Sequence, residues 1–430
     1  MGKMEQDDQD FAFIREKIKD KPINRRRLLI NGLWTIIFAV VFGAVVCFVF
    51  VLLEPIMKEW LYPQEDPTVM IPEDEEPDEN DTKEEDTDPE KEEDTQPVQH
   101  VTEIQKLEVE DFQELQNKLY AIGKSANKAV VTVTGVKNNL DIFYNTYEDK
   151  HQTSGIIFSS TEQELLILAN KSSIEDVDKI NVTFINDDIV SGTLKKYDGN
   201  TGIAIISVDR DDVSEETLNK IEVAELGNSQ AINQGTVVIA IGSPQGRNYS
   251  ILNGTVTSSG NFVSTYDSNY KILTTNINGN KEGNGVLINL KGQIIGVIMQ
   301  QYGSEGDQST ITALSISELK SVIRALSNNK SIPYLGLKVS TVTEEIAAAY
   351  EIPKGVYINS VAMESPGMRA GLQDADVIIK LNDVEITTAE QYTEVLMEME
   401  PDTSIIVTVM RQNGEIYSEI ECPAVLGELP

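Results

Sequence analysis

Residues 278–292 read Asn278-Gly279-Asn280-Lys281-Glu282-Gly283-Asn284-Gly285-Val286-Leu287-Ile288-Asn289-Leu290-Lys291-Gly292, and a second apolar run follows at 293–299. Glycines crowded ahead of Val286-Leu287-Ile288, then a polar turn, then Ile294-Ile295-Gly296-Val297-Ile298, predict a tight loop feeding a buried β-hairpin. In a nucleophilic hydrolase a loop of this kind carries a serine, and its backbone N–H groups face the oxyanion. Here no serine, cysteine or threonine lies between Asn276 and Asn289.

Outward from this hairpin the period is that of strands. Short β-type runs occupy 129–135, 155–158, 164–168, 179–184, 189–194, 202–208, 236–241, 250–256, 272–275, 285–288 and 293–299, with Gly, Asn and Asp between them. About a dozen such strands and almost no helix predict barrels or a sandwich. A helical spacing of Phe112, Leu115, Leu119 and Ile122 precedes them, and a short amphipathic helix at 316–326 closes the domain. After Ser331 the pattern changes to a compact α+β module with helices expected at 344–350 and 388–399.

The 430 residues suffice for two or three domains, and 40% apolar content supports real cores. A formal charge of −35 argues against a nucleic-acid partner, because a polyanion would be repelled. The charge is uneven: 65–94 holds 17 acidic residues and two lysines among Pro and Thr, a composition expected to stay unfolded as a self-repelling spacer. Residues 28–53 contain no charged residue and as a helix would be roughly 39 Å long, enough to span a bilayer of roughly 30 Å with tilt. Arg25-Arg26-Arg27 precede this stretch and acidic residues follow it, so the amino end is expected in the cytoplasm and the rest outside. Cys47 lies in the span and Cys422 near the carboxyl end, so they are not expected to pair.

The order of these stretches resembles the HtrA family, over about 125–425. The likeness is carried by Glu225-Leu-Gly-Asn-Ser229, by 235–246, by Asn253-Gly-Thr-Val-Thr257, by 287–296, and in the last module by Tyr334-Leu-Gly-Leu337 and Ser365 to Leu372. The resemblance implies a mainly β fold: a trypsin-like double β-barrel (105–328) followed by an α+β PDZ domain (332–425). Ahead of them come a cytoplasmic tail (1–27), a transmembrane helix (28–53) and an acidic disordered linker (54–104). It also implies homo-trimers; cofactors and metals are not expected.

Matched residue by residue, the family's catalytic histidine falls on Ser172, its aspartate on Gly202 and its serine on Gly283. Another hydrolase loses roughly a millionfold in turnover when its triad is removed, and Glu282 sets a carboxylate beside the site where negative charge would develop. The chain is therefore expected to be a pseudoprotease; the alternative is an active serine endopeptidase using Ser172, Ser173, Lys171 or Lys281. His100 and His151, the only histidines, read as a spacer and a loop residue, and Ser172, Ser173, Ser258 and Ser259 as ordinary loop or strand-end serines. The PDZ stretch implies capture of peptide or protein C-termini. Tyr334, Leu335, Gly336 and Leu337 would hold the carboxylate, and Tyr392, Val395 and Leu396 either line a side-chain pocket or belong to the core. Partners then include the membrane, through 28–53, and a homo-trimer or a mixed oligomer with an active HtrA-like protein. Ala375 stands where a glycine is usual before Asp376.

Overall fold

The computed structural model describes Phe42 and residues 68–74, 108–140, 146–303, 309–414 and 416–429. The expected transmembrane stretch lies outside these residues except for Phe42, which is helical and exposed. Among the described residues no helix is long and apolar enough to cross a membrane.

Two closed six-stranded barrels follow one another. Strands β1 (Val130–Leu140), β2 (Thr146–Ser160), β3 (Glu164–Asn170), β4 (Lys179–Thr183), β5 (Ile189–Tyr197) and β6 (Ile203–Asp209) close in the order β1-β2-β3-β6-β5-β4. Strands β7 (Val237–Ser243), β8 (Ser250–Ser264), β9 (Asn269–Asn278), β10 (Asn284–Ile288), β11 (Ile294–Ile298) and β12 (Thr310–Ser315) close as β10-β11-β12-β9-β8-β7. Alternation explains the apolar runs. Leu165, Ile167, Ala204 and Ile206 fill the first barrel, while Leu166, Leu168, Ile203 and Ile205 point the other way into the core shared with the second. Likewise Val238, Ala240 and Leu287 fill the second barrel, and Ile239, Ile241, Val286 and Ile288 meet that shared core. Both faces of β3, β6, β7 and β10 are buried, so their apolar runs are nearly unbroken.

The helical spacing of Phe112, Leu115, Leu119 and Ile122 falls in helix α1 (Val109–Ala126), which buries Leu119 and leaves Phe112 and Leu115 exposed. The short α2 (Glu215–Leu218) follows β6, and α3 (Ile316–Ser327) closes the barrels through Ile316, Leu319, Val322, Ile323 and Leu326. Within the stretch expected as spacer, residues 68–74 run across α3. Val69 and Ile71 are buried, Asn328 bonds both the N–H and the C=O of Val69, and Lys320 meets Asp74 at 2.5 Å with both side chains under 10% exposed.

The last domain holds β13 (Pro333–Tyr334), β14 (Leu337–Val342), α4 (Glu344–Tyr350), β15 (Gly355–Val361), α5 (Pro366–Arg369), β16 (Val377–Leu381), β17 (Val384–Glu385), α6 (Ala389–Met397), β18 (Ser404–Asn413), β19 (Ile416–Val425) and β20 (Gly427–Glu428). Its sheet runs β14-β15-β16-β18-β19, so β14 is an edge strand. Strand β13 pairs with β20, which carries the domain past the expected end at residue 425.

Candidate functional site

Of the three positions matched to a triad, those of Ser172 and Gly202 meet at Asn170, at the end of β3. The backbone N–H of Lys171 donates to the carbonyl of Gly202 at 2.8 Å, and a Cβ on Gly202 would lie 3.9 Å from Asn170 Oδ1. The same Oδ1 accepts from the N–H of Ser172 at 2.9 Å, in a single exposed turn. Asn170 also lines a cavity of about 20 Å³ with Thr153, Ser154, Asn284, Gly285 and Met299. That volume holds about one water. Asn284 shuts the cleft by accepting from the N–H of Ser154 at 2.8 Å, which ties β10 to β2 across the barrel junction.

Gly283 sits tightly in its loop. A Cβ there would fall 2.5 Å from the carbonyl oxygen of Pro244 and 2.9 Å from that of Asn280. Both are backbone atoms, so a side chain needs the loop to move. The N–H of Gly283, at the position whose amide would face an oxyanion, donates instead to Asn280 O at 2.9 Å. Lys171 is committed to Glu175 at 3.2 Å and to the Tyr197 ring face at 3.8 Å from its centroid. Lys281 and Glu282 are exposed. His151 lies exposed on β2 with Asp149 3.6 Å away, and His100 lies outside the described residues.

The PDZ loop is built differently. Gly336 adopts φ +84°, and a Cβ on it would strike Ser365 Cβ at 2.4 Å and the Tyr334 ring at 2.9 Å, so only glycine makes this turn. The turn aims three consecutive N–H groups at one point, and a carboxylate is already there. Asp267, from the turn between β8 and β9, accepts from Leu335 N at 2.8 Å and Gly336 N at 2.7 Å on Oδ2, and from Leu337 N at 3.0 Å on Oδ1. The Tyr392 hydroxyl on α6 donates to Oδ1 at 2.6 Å. Burial pushes the Asp267 carboxyl above the usual aspartate range, and the four donors pull it back. Burial and the neighbouring Asp267 charge push the Tyr392 phenol well up, so it stays a donor.

Residues 153–297 match the trypsin-like peptidase domain model and 333–421 the PDZ domain model. Serine protease Do-like HtrB of Bacillus subtilis is 27% identical over 267 residues, 56% of this chain and 56% of its own length. Serine endoprotease DegS of Haemophilus influenzae is 27% identical over 284 residues, 64% of this chain and 77% of its own. The chain thus spans little more than half of the first of these relatives. Among solved structures, the HtrA-type protease AlgW with a decapeptide superposes with a TM-score of 0.54 at 20% identity, covering 73% of this chain and 99% of that one.

This is an HtrA-family protein.

In this HtrA-family chain Ser172 and Gly202 meet at Asn170, while Gly283 packs against Pro244 and Asn280 and its neighbours Asn284 and Gly285 line the cavity that Asn170 also lines. The structure also brings the N–H groups of Leu335, Gly336 and Leu337 and the Tyr392 hydroxyl around one carboxylate, with Tyr334 edge-on against the neighbouring Tyr266. The helix positions divide. Tyr392 and Leu396 are fully buried in the PDZ core, Val395 packs half-buried against it, and only the Tyr392 hydroxyl reaches the carboxylate. Asp267 escaped the sequence reading. It stands 68 residues before Leu335, in a polar hairpin turn with no motif.

Proposed function

We propose that this chain is a membrane-anchored, outward-facing HtrA-like pseudoprotease. It binds without cutting, as a scaffold in envelope protein quality control. Residues 28–53 anchor it, the PDZ domain takes exposed peptide or protein C-termini, and the barrels offer a surface for assembly, as a homo-trimer or with an active HtrA-like protein. The relatives are named as proteases, and the AlgW structure was solved with a decapeptide. The observation that carries the non-cleaving reading is Gly283, whose Cβ position is blocked at 2.5 Å by Pro244 O and whose N–H is spent on Asn280.

The test is hydrolysis of unfolded casein by the purified full-length chain in detergent. Turnover no greater than in a boiled sample is expected. Cleavage abolished by a single change at Lys171, Ser172, Ser173 or Lys281 would replace this reading with the alternative, an active endopeptidase using non-standard residues. Co-purification with an active HtrA-like protein tests the mixed oligomer, and its failure from native membranes counts against that arrangement.

A further inference from the structure

We propose that Asp267 is a tethered stand-in for a peptide C-terminus, so that the PDZ groove admits an outside carboxylate only when the β8–β9 turn withdraws. The inference rests on the reading of the PDZ domain as a binder of C-termini and adds the regulation of that site.

The mimicry extends beyond the carboxylate. A C-terminal residue added to a sheet edge places its carboxylate in the turn and pairs its backbone with the edge strand. Asp267 does both: its N–H donates to Leu337 O at 2.6 Å while Leu337 N donates to its carboxylate. The next outward carbonyl of β14, Val339 O, accepts from Asn269 Nδ2 at 3.1 Å. The turn thus occupies the start of the open edge as well as the anion site. Thr393 on α6 donates to Asp267 O at 3.0 Å and holds the turn from the opposite wall. Asp267 is 4% exposed, and its four donors are three amides and a phenol, all neutral. A second carboxylate has no room in this nest, and two carboxylates there would repel. An outside peptide therefore competes with a group of the same chemistry at the high effective concentration a short tether gives. Its apparent affinity falls by the fraction of molecules with the turn withdrawn.

The turn is also tied from behind. Asn200, in the β5–β6 turn that carries Gly202, donates from Nδ2 to Tyr266 O at 2.8 Å. Asn200→Ala loosens the turn while leaving the nest and its carboxylate untouched.

The experiment measures binding of fluorescein-labelled decapeptide pools, random except for a terminal Val, Leu or Phe, to the full-length chain in detergent. Each pool is made with a free carboxylate and with a carboxamide. Asp267→Asn keeps the turn's size and removes the anion. It is expected to bind the carboxylate pools at least tenfold more tightly than the unaltered chain, with no gain for the carboxamide pools. Asn200→Ala is expected to give a smaller gain of the same sign, and it decides the matter if Asp267→Asn loses its native circular dichroism. Equal affinity of the unaltered chain and both variants for a carboxylate pool would overturn the tethered-competitor inference alone. Binding of no carboxylate pool by any folded form would overturn the peptide-binding reading, and the inference with it.

Discussion

The backbone N–H of Lys171 lies 2.8 Å from the carbonyl of Gly202, so the two loops expected to match the family's histidine and aspartate are joined, with Ser172 and Gly202 in them. The two positions differ from Gly283 in the room they leave. Ser172 is exposed, and Gly202 would hold a Cβ with only Asn170 Oδ1 nearby, at a φ of +78°.

Restoring the three groups one at a time is therefore expected to cost unequally. Ser172→His should change stability by no more than ~0.5 kcal/mol. Gly202→Asp should cost about 1–2 kcal/mol for its left-handed backbone. Gly283→Ser should cost about 3 kcal/mol, because backbone oxygens must move. Urea midpoints read these differences, and a Gly283→Ser cost below that of Gly202→Asp would show that the loop has space for a serine.

Residues 68–74 are held on α3 by the buried Val69 and Ile71, the Asn328 bonds, Arg324 donating to Ile71 O at 2.7 Å and pairing with Glu73, and the Lys320–Asp74 pair. A buried ion stripped of its partner is costly, about 3–5 kcal/mol if it stays buried. The segment escapes that cost by leaving. Lys320→Ala should thus free 68–74 with little loss of global stability, seen as new cleavage there in limited proteolysis while the urea midpoint holds. A segment still protected in the variant would mean that Val69, Ile71 and the Asn328 and Arg324 bonds hold it without the ion pair.

Ala375 takes φ +72° just before Asp376, whose buried carboxylate holds Arg411 at 2.7 and 2.6 Å. Glycine removes the ~1–2 kcal/mol strain of a left-handed alanine and returns part of it as unfolded-chain entropy. Ala375→Gly should raise stability by about 0.5–1 kcal/mol in urea unfolding; a loss would show the alanine methyl to be a packing group.

Asp198 is almost fully buried, accepting from Thr201 Oγ1 and from the N–H groups of Asn200 and Thr201, and burial raises its pKa. A raised carboxyl pKa means that the native state keeps its proton where the unfolded chain, with a pKa of about 3.9, has lost it. Stability from this group is therefore lost as pH rises from about 4 through the native pKa. Relative to the unaltered chain, Asp198→Asn should gain stability across that rise. Parallel pH profiles of the two urea midpoints would contradict this.

Much of the fold could be read because strands such as 164–168 and 203–208 are buried on both faces, so their apolar runs have no interruption. Helix α1 was readable for the opposite reason, one apolar stripe at Phe112, Leu115, Leu119 and Ile122. What escaped is polar pairing. Strands β2 and β8 extend far beyond their expected spans through Tyr147-Glu148-Asp149 and Asn261-Phe262-Val263, where backbone hydrogen bonds rather than burial hold the ladder. Strands β12 and β19 were missed as well, β19 for its alternating exposed residues. Of the candidate sites, Gly283 and Gly336 were found from local motif positions, which is all that a turn requires. Asp267 was not, because its importance lies in the N–H groups of a distant loop and nothing in Thr265-Tyr266-Asp267-Ser268 marks it.

The claim that this scaffold binds without cutting is tested most directly by a fluorophosphonate probe, which bonds covalently to any serine activated as a nucleophile. The native full-length chain should take up no more label than the heat-denatured chain. Stoichiometric labelling of one serine, located by mass spectrometry and lost on denaturation, would contradict the account.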